Sequence, residues 1–217
     1  MISISITTRK TARCFFSEEP ASKHKHLIFM LHGYAQLADD FLNSFGLSEG
    51  KDILLAAPEG THRFYRRAAG GNVGASWMTK LEREADISDN LVYLDSIEQE
   101  VIKLIHPDAK IHILGFSQGA ATAFRWAVHR DTPPASLILW GGPPPDTFET
   151  DRMEFPKFPE IFIVQGKNDR IVTARMTGAV TDGLQSRGLN FRTLEFDGGH
   201  EIRPEVFSQI LGQIVAG

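Results

Sequence analysis

The chain is poor in cysteine. Cys14 is the single one among 217 residues, so no intrachain disulfide can form. That suits a reducing compartment, and a cytoplasmic location is expected. No apolar run approaches the ~20 residues that a membrane-spanning helix requires. The opening stretch, MISISITTRK, lacks a basic region followed by an apolar one, so no signal peptide is expected. Positive charge is also scarce: 23 Lys and Arg stand against 27 Asp and Glu, a net charge of −4. No basic field is available to hold nucleic acid or an anionic membrane. Internal repeats, low-complexity segments and linker-like stretches are absent. The length fits one α/β domain spanning residues 1–217.

What the chain does have is a series of short apolar runs. Leu27 to Leu31, Asp52 to Ala57, Lys110 to Gly115, Ser136 to Trp140 and Ile161 to Gly166 each have strand length, and the more polar Phe191 to Phe196 reads as the last strand. Continuous apolar character in a strand indicates burial on both faces. Between them lie helical patterns. Asp39 and Asp40 begin a short helix containing Phe41, Leu42 and Phe45. Ile87 to Ile105 carries apolar residues at helical spacing, and Val172 to Leu184 and Pro204 to Val215 read as later helices. This alternation predicts an α/β fold: a mostly parallel central sheet with helices on both faces. At the N-terminus, Ile2 to Thr8 alternates apolar and polar residues as a half-exposed strand does. Ala12 to Phe16 could return antiparallel to it, making an antiparallel edge. Glu59 to Thr79 reads as a long irregular loop, and loops of that length are usually functional.

The motif that carries chemistry is GFSQG, Gly115 to Gly119. Composition alone supplies roughly 0.1 matches to GxSxG by chance, so the flanks decide. An apolar run precedes it and the helical AATAFRWAV follows, which is the strand, turn and helix of a nucleophile elbow. Ser117 is then the nucleophile; the bland alternative is a serine that merely caps a helix. Of eight histidines, His24 and His26 lie in a polar, lysine-rich segment and are expected to be solvated. His200 lies in FDGGHEI, a glycine-rich loop between the last strand and the last helix, where a base belongs; a plain turn histidine is the alternative. The acid falls between Ser117 and His200. Asp169, after the strand Ile161 to Val164, sits at a strand's carboxyl end, where α/β sites assemble, although aspartate also caps helices. Asp146 and Asp151 are the fallback, and Asp197 is too close to His200 in sequence. The order Ser117, Asp169, His200 is that of the α/β-hydrolases. Oxyanion donors follow from the same geometry: the backbone N–H of Gln118, after the nucleophile, and that of Tyr34 in LHGYAQ. His32 reads as a buried brace for that loop.

LHGYAQ, APEG (Ala57 to Gly60), GFSQGA, GKNDRIV and GGHEI, in this order, resemble the phospholipase/carboxylesterase family of α/β-hydrolases, which includes acyl-protein thioesterase-like enzymes. The resemblance runs from about Leu27 to Val215. It implies a serine esterase or thioesterase with little or no cap domain and no metal or cofactor. It also implies catalysis by Ser117, Asp169 and His200, with an oxyanion hole at Tyr34 and Gln118. Ala35 departs from the family pattern, standing where a glycine is common. So do Met78 and Thr79, which follow Trp77 where an aromatic and an aspartate are common.

Phe64, Tyr65, Trp77 and Met78 are candidates for the wall of an apolar substrate pocket, or else ordinary packing. Arg66 and Arg67 either meet an anionic substrate group or are solvated surface. The expected activity is hydrolysis of small to medium carboxylic esters or thioesters through an acyl-enzyme. A lactone hydrolase or peptidase could use the same triad; a cysteine-type lactone hydrolase is excluded by the serine at 117. A non-catalytic small-molecule-binding protein of the same fold is the alternative from another class.

Overall fold

Strands that are apolar on both sides need a cover on both sides, and the topology supplies it. The computed structural model describes residues 4, 6–46, 52–67, 70–145 and 160–216. The described elements are β1 (Cys14–Phe16), β2 (His26–Leu31), α1 (Ala38–Asn43), β3 (Ile53–Pro58), β4 (His62–Tyr65), β5 (Val73–Ser76) and α2 (Arg83–Val101). They continue with β6 (Lys110–Phe116), α3 (Gln118–His129), β7 (Ser136–Trp140), β8 (Glu160–Gly166), α4 (Ala174–Ser186), β9 (Phe191–Phe196) and α5 (Pro204–Ala216). Seven strands form one sheet in the order β1-β3-β2-β6-β7-β8-β9, while β4 and β5 make a separate hairpin. All neighbours in the large sheet are parallel except β1 and β3.

Successive side chains along a strand point to opposite faces, and the two cores sort accordingly. Leu27, Phe29 and Leu31 of β2, with Ile113, Leu137, Leu139 and Ile161, pack on one face under α2 and α3. Ile28 and Met30, with Leu114, Ile138, Trp140 and Phe162, pack on the other face against Phe41 of α1 and Phe207 and Ile210 of α5. After β2 the chain turns to β3 on one side, and β6 then takes the other side. The switch point lies between β2 and β6, where the carboxyl ends of an α/β sheet open a crevice.

Three expectations from the sequence change. The strand expected over Ile2 to Thr8 lies partly outside the described residues; residues 4 and 6–8 are not in a strand, and Ile4 and Ile6 are exposed. Its expected partner, β1, pairs antiparallel with β3 instead, so the antiparallel edge exists but has one strand. Pairing with β3 lets Phe15 and Phe16 pack against the sheet's two cores, which pairing with an exposed N-terminal segment would not. The stretch from Glu59 to Thr79 is not wholly irregular, because it contains the β4–β5 hairpin. The helix expected over Ile87 to Ile105 runs instead from Arg83 to Val101, its first turn being charged and without an apolar signal.

His24 and His26, expected to be solvated, are both buried. At the end of the sheet opposite the crevice, His26 Nδ1 lies 3.1 Å from His112 Nε2, and His112 Nδ1 lies 2.8 Å from Ser136 Oγ. Burial pushes the His112 imidazole down to about 4, below the ~6.5 of an unfolded chain. Between those values the unfolded chain binds a proton that the native state does not. Stability present above pH ~6.5 is therefore lost as pH falls towards 4, by up to about 3 kcal/mol. Thermal melts between pH 7 and 4.5 will show this fall, and His112→Asn, which cannot titrate, will show a smaller one.

Candidate active site

The elbow is built from close backbone contacts. Ser117, between β6 and α3, has φ 55° and ψ −116°. That is a strained conformation for a residue with a side chain, of the kind that persists where surrounding structure over-determines it. The flanking glycines allow it. A Cβ on Gly115 would overlap the carbonyl of Gly119, and a Cβ on Gly119 would overlap the carbonyl oxygen of Leu31 at the end of β2. The first turn of α3 thus lies directly on the β2 end, and no residue larger than glycine fits. The Ser117 N–H donates to Trp140 O at 2.9 Å, tying the elbow to β7. The side chain of Ser117 makes no cap hydrogen bond to α3, contrary to what a simple capping serine would do.

His200 and Asp169 come together from the ends of β9 and β8. His200 Nδ1 lies 2.7 Å from Asp169 Oδ2. Asp169 Oδ1 accepts from the N–H groups of Ile171 (2.8 Å) and Val172 (2.9 Å). Burial raises the pKa of this carboxyl, but the hydrogen bonds from His200, Val172 and Ile171 outweigh it and leave the group below its usual value. The ionised Asp169 thus faces Nδ1 of His200, which places the imidazole proton there in the neutral ring. The histidine loop is pinned by Trp140 Nε1, which donates to Glu201 O at 3.0 Å. The ring of Phe116, the residue before Ser117, lies 4.8 Å from that of His200. Asp197 is exposed and paired with Lys167 at 2.8 Å, away from His200. Asp146 and Asp151 lie outside the described residues.

The loop after β2 runs beside the elbow: a Cβ built on Gly33 would stand 3.2 Å from Ser117 Cβ. The backbone N–H groups of Tyr34 and Gln118 have no protein acceptor among the described residues. His32 is fully buried and uses both ring nitrogens. Gly60 N–H donates to Nε2 at 2.9 Å, so Nδ1 carries the proton and donates to Gly33 O at 2.8 Å. Burial lowers the His32 pKa, in keeping with a neutral brace. Below it, the fully buried Glu59 accepts from Arg13 (2.7 Å) and Arg63 (2.6 Å). Burial opposes its charge, but these bonds outweigh that and hold the carboxyl below its usual value.

Two features were not readable from sequence. The Gln118 side chain, Oε1 and Nε2 together, bonds Trp77 N (3.1 Å), Ser76 Oγ (3.0 Å) and Met78 O (3.1 Å), stitching the hairpin's exit to the elbow. Ala35 has φ 64°, which explains why the motif favours glycine there; its N–H donates to Ala75 O at 2.8 Å. No sequence pattern links positions 118 and 77, because the contact is purely tertiary.

A cleft of about 790 Å³ opens beside Ser117, lined by Tyr34, Met78, Gln118 and Pro143 among others. Of the four residues expected in its wall, Met78 lines it. Trp77 does not fill that role: it is fully buried, and its indole donates to His32 O at 2.8 Å. A residue of the strand-exit loop is drawn into the core because its ring packs beneath the β2 loop. Phe64 stacks on Tyr34 at 5.2 Å, behind the cleft-lining ring. Tyr65 is 65% exposed. Arg66 donates to Ala35 O, and both Arg66 and Arg67 are exposed. Among the described residues, no group of three or more His, Cys, Asp or Glu could hold a metal ion.

A mostly parallel sheet covered on both faces, with the elbow at its switch point, defines an α/β-hydrolase. A model of the phospholipase/carboxylesterase family matches residues 12–215. The chain belongs to that family and is a hydrolase. Among solved structures it is similar to Zea mays acyl-protein thioesterase 2, at 19% identity over 95% of this chain and 99% of that one, with a TM-score of 0.71. It is similar also to the esterase PE8, at 22% identity over 94% and 100%, with a TM-score of 0.71. The Bacillus cereus carboxylesterase aligns at 17% identity over 94% of each chain, with a TM-score of 0.69. At these identities the likeness concerns the fold. No curated protein sequence matches the chain. No described helix is long and apolar enough to cross a membrane.

The elbow's packing gives a paired test. Gly119→Ala forces a Cβ into the Leu31 carbonyl, and backbone there cannot yield, so a loss above about 3 kcal/mol or failure to fold is expected. Gly178→Ala, inside α4 with nothing within 4 Å of the added Cβ, should gain about 0.5–1 kcal/mol. Denaturant unfolding of both variants measures the difference.

Proposed function

We propose that this protein is a cytoplasmic, single-domain serine hydrolase that cleaves carboxylic esters or thioesters of small to medium acyl groups. The observation that carries the reading is the 2.7 Å pair of His200 Nδ1 and Asp169 Oδ2, set beside a strained, uncapped Ser117. With its proton on Nδ1, His200 offers the lone pair of Nε2 to the Ser117 hydroxyl. Ser117 Oγ then attacks the substrate carbonyl while His200 takes its proton. The oxyanion that forms is met by the N–H groups of Tyr34 and Gln118, which have no other acceptor among the described residues. Collapse releases the alcohol or thiol, protonated by His200, and leaves an acyl group on Ser117. Water, deprotonated by the same histidine, attacks that acyl-enzyme and releases the acid. No step requires a metal or cofactor.

Asp169 acts on this scheme through the tautomer. In Asp169→Asn, the amide oxygen can still accept from Ile171 and Val172, so stability changes little. The amide NH₂ then faces His200 Nδ1 and forces the imidazole proton onto Nε2, where it cannot accept from Ser117. The expected loss in kcat is roughly 10³–10⁴-fold. Ser117→Ala should fold normally and lose both turnover of 4-nitrophenyl esters and covalent labelling by a fluorophosphonate. Full activity in the Ser117→Ala variant would sink the proposal, and absence of labelling in the folded native protein would point to a non-catalytic binder.

A further inference from the structure

The cleft beside Ser117 is charged on one side. Lys80, Arg83 and Arg125 line it, and no carboxylate does among the described residues. This is a local excess of positive charge in a chain of net charge −4. Arg125 is the notable member. It lies on α3 eight residues after Ser117, and Gln118, Ala121 and Arg125 all face the cleft. At 1.5 Å per residue, its backbone is roughly 12 Å along the helix from the nucleophile.

Arginine that is partly buried is normally paired. Arg125 is half-buried, and its polar contact is with Met78 Sδ at 4.0 Å, which neutralises nothing. Neither Arg125 nor Arg83 forms an ion pair among the described residues. Burial and the like charge of Arg83 push the Arg125 guanidinium down, while the charge of Glu84 acts in the opposite direction. By contrast, the arginines that support the fold are matched: Arg13 and Arg63 with Glu59, and Arg130 with Glu98. Two facing guanidinium groups with Lys80 at the same cleft make an arrangement that an anion would stabilise, and the fork of an arginine suits carboxylate or phosphate oxygens.

We propose that Arg125, with Arg83 and Lys80, is an anion-binding subsite, and that the preferred substrate carries a carboxylate or phosphate roughly 10 Å from the scissile carbonyl. This rests on the hydrolase reading above. It assigns the specificity of the cleft to α3 and the start of α2, rather than to the exposed Arg66 and Arg67.

Two matched pairs of esters test it on the native enzyme and on Arg125→Gln, Arg125→Lys and Arg83→Gln. The first pair, 4-nitrophenyl hydrogen suberate and 4-nitrophenyl methyl suberate, differs by a carboxylate on the acyl side. The second, octanoylglycerol phosphate and octanoylglycerol, differs by a phosphate on the alcohol side. In at least one pair the charged ester should lead in kcat/KM by roughly tenfold, as one charge-assisted contact provides. The difference should lie in KM and shrink as salt is raised. The pair that shows it tells which side of the ester lies along α3. Arg125→Gln should bring the ratio close to one, Arg83→Gln should lower it, and Arg125→Lys should keep part of it. A ratio of one or less in both pairs overturns the proposal. So does a preference that survives unchanged in Arg125→Gln. If none of the four esters turns over and a fluorophosphonate leaves Ser117 unlabelled, the hydrolase reading itself has failed, and the subsite falls with it.

Discussion

The contact on which the site depends is a backbone one, between the first turn of α3 and the carboxyl end of β2. Gly119 lies against the Leu31 carbonyl and Gly115 against Gly119. That proximity forces the chain at Ser117 into a positive φ, so the serine projects from the turn instead of capping the helix. It also leaves the N–H of Gln118, in the first turn of α3, without an acceptor among the described residues, and it brings the Gly33–Tyr34 loop beside Ser117. The proposed nucleophile and both proposed oxyanion donors are therefore consequences of one packing arrangement. The buried face of α3, with Ala120, Ala123 and Phe124, holds that arrangement by apolar contact with the sheet.

Around this contact the loops are held by polar groups that are buried or partly buried. Glu59 joins the segment before β1 to the hairpin through Arg13 and Arg63. His32 joins the β2 loop to Gly60, and Gln118 joins the elbow to residues 76–78. Buried charges and polar groups are tolerable when every one has partners, and removing one partner is costly because the other is left exposed to a low dielectric. Such a network specifies geometry more than it adds stability. The cleft's arginines stand outside it. Among the described residues they form no ion pair, which is why they, and not the Glu59 cluster, suggest a ligand.

Much of the scaffold was legible because burial on both faces leaves a strong local mark. β2, β3, β6, β7 and β8 appear as largely apolar runs, and their spacing with helical patterns indicated a parallel sheet. The misreadings also have physical causes. Alternation over Ile2 to Thr8 satisfies the strand pattern, but β1 finds its partner in β3, 40 to 44 residues away (Cys14 opposite Pro58 to Phe16 opposite Ala56). The hairpin β4–β5 is too short and too polar to register. His24 and His26 sit in a lysine-rich segment, yet the fold closes over them. Trp77, a candidate for either the pocket wall or ordinary packing, takes the second place, its buried indole donating to His32 O.

By itself the sequence determined the class of fold and pointed to three positions for the proposed chemistry. GxSxG encodes a backbone approach that glycine alone permits, and the order of serine, acid and histidine follows the order of the strand ends. Both are local facts, written in residue type and spacing. The tertiary structure decided which acid faces His200, which aromatics enter the core, and which arginines reach the cleft. Those depend on distances between segments far apart in the chain. Arg125 lies on a helix read only for its apolar face, and Arg83 at the start of another. Nothing in their neighbours along the chain shows that the two lean toward the same cleft.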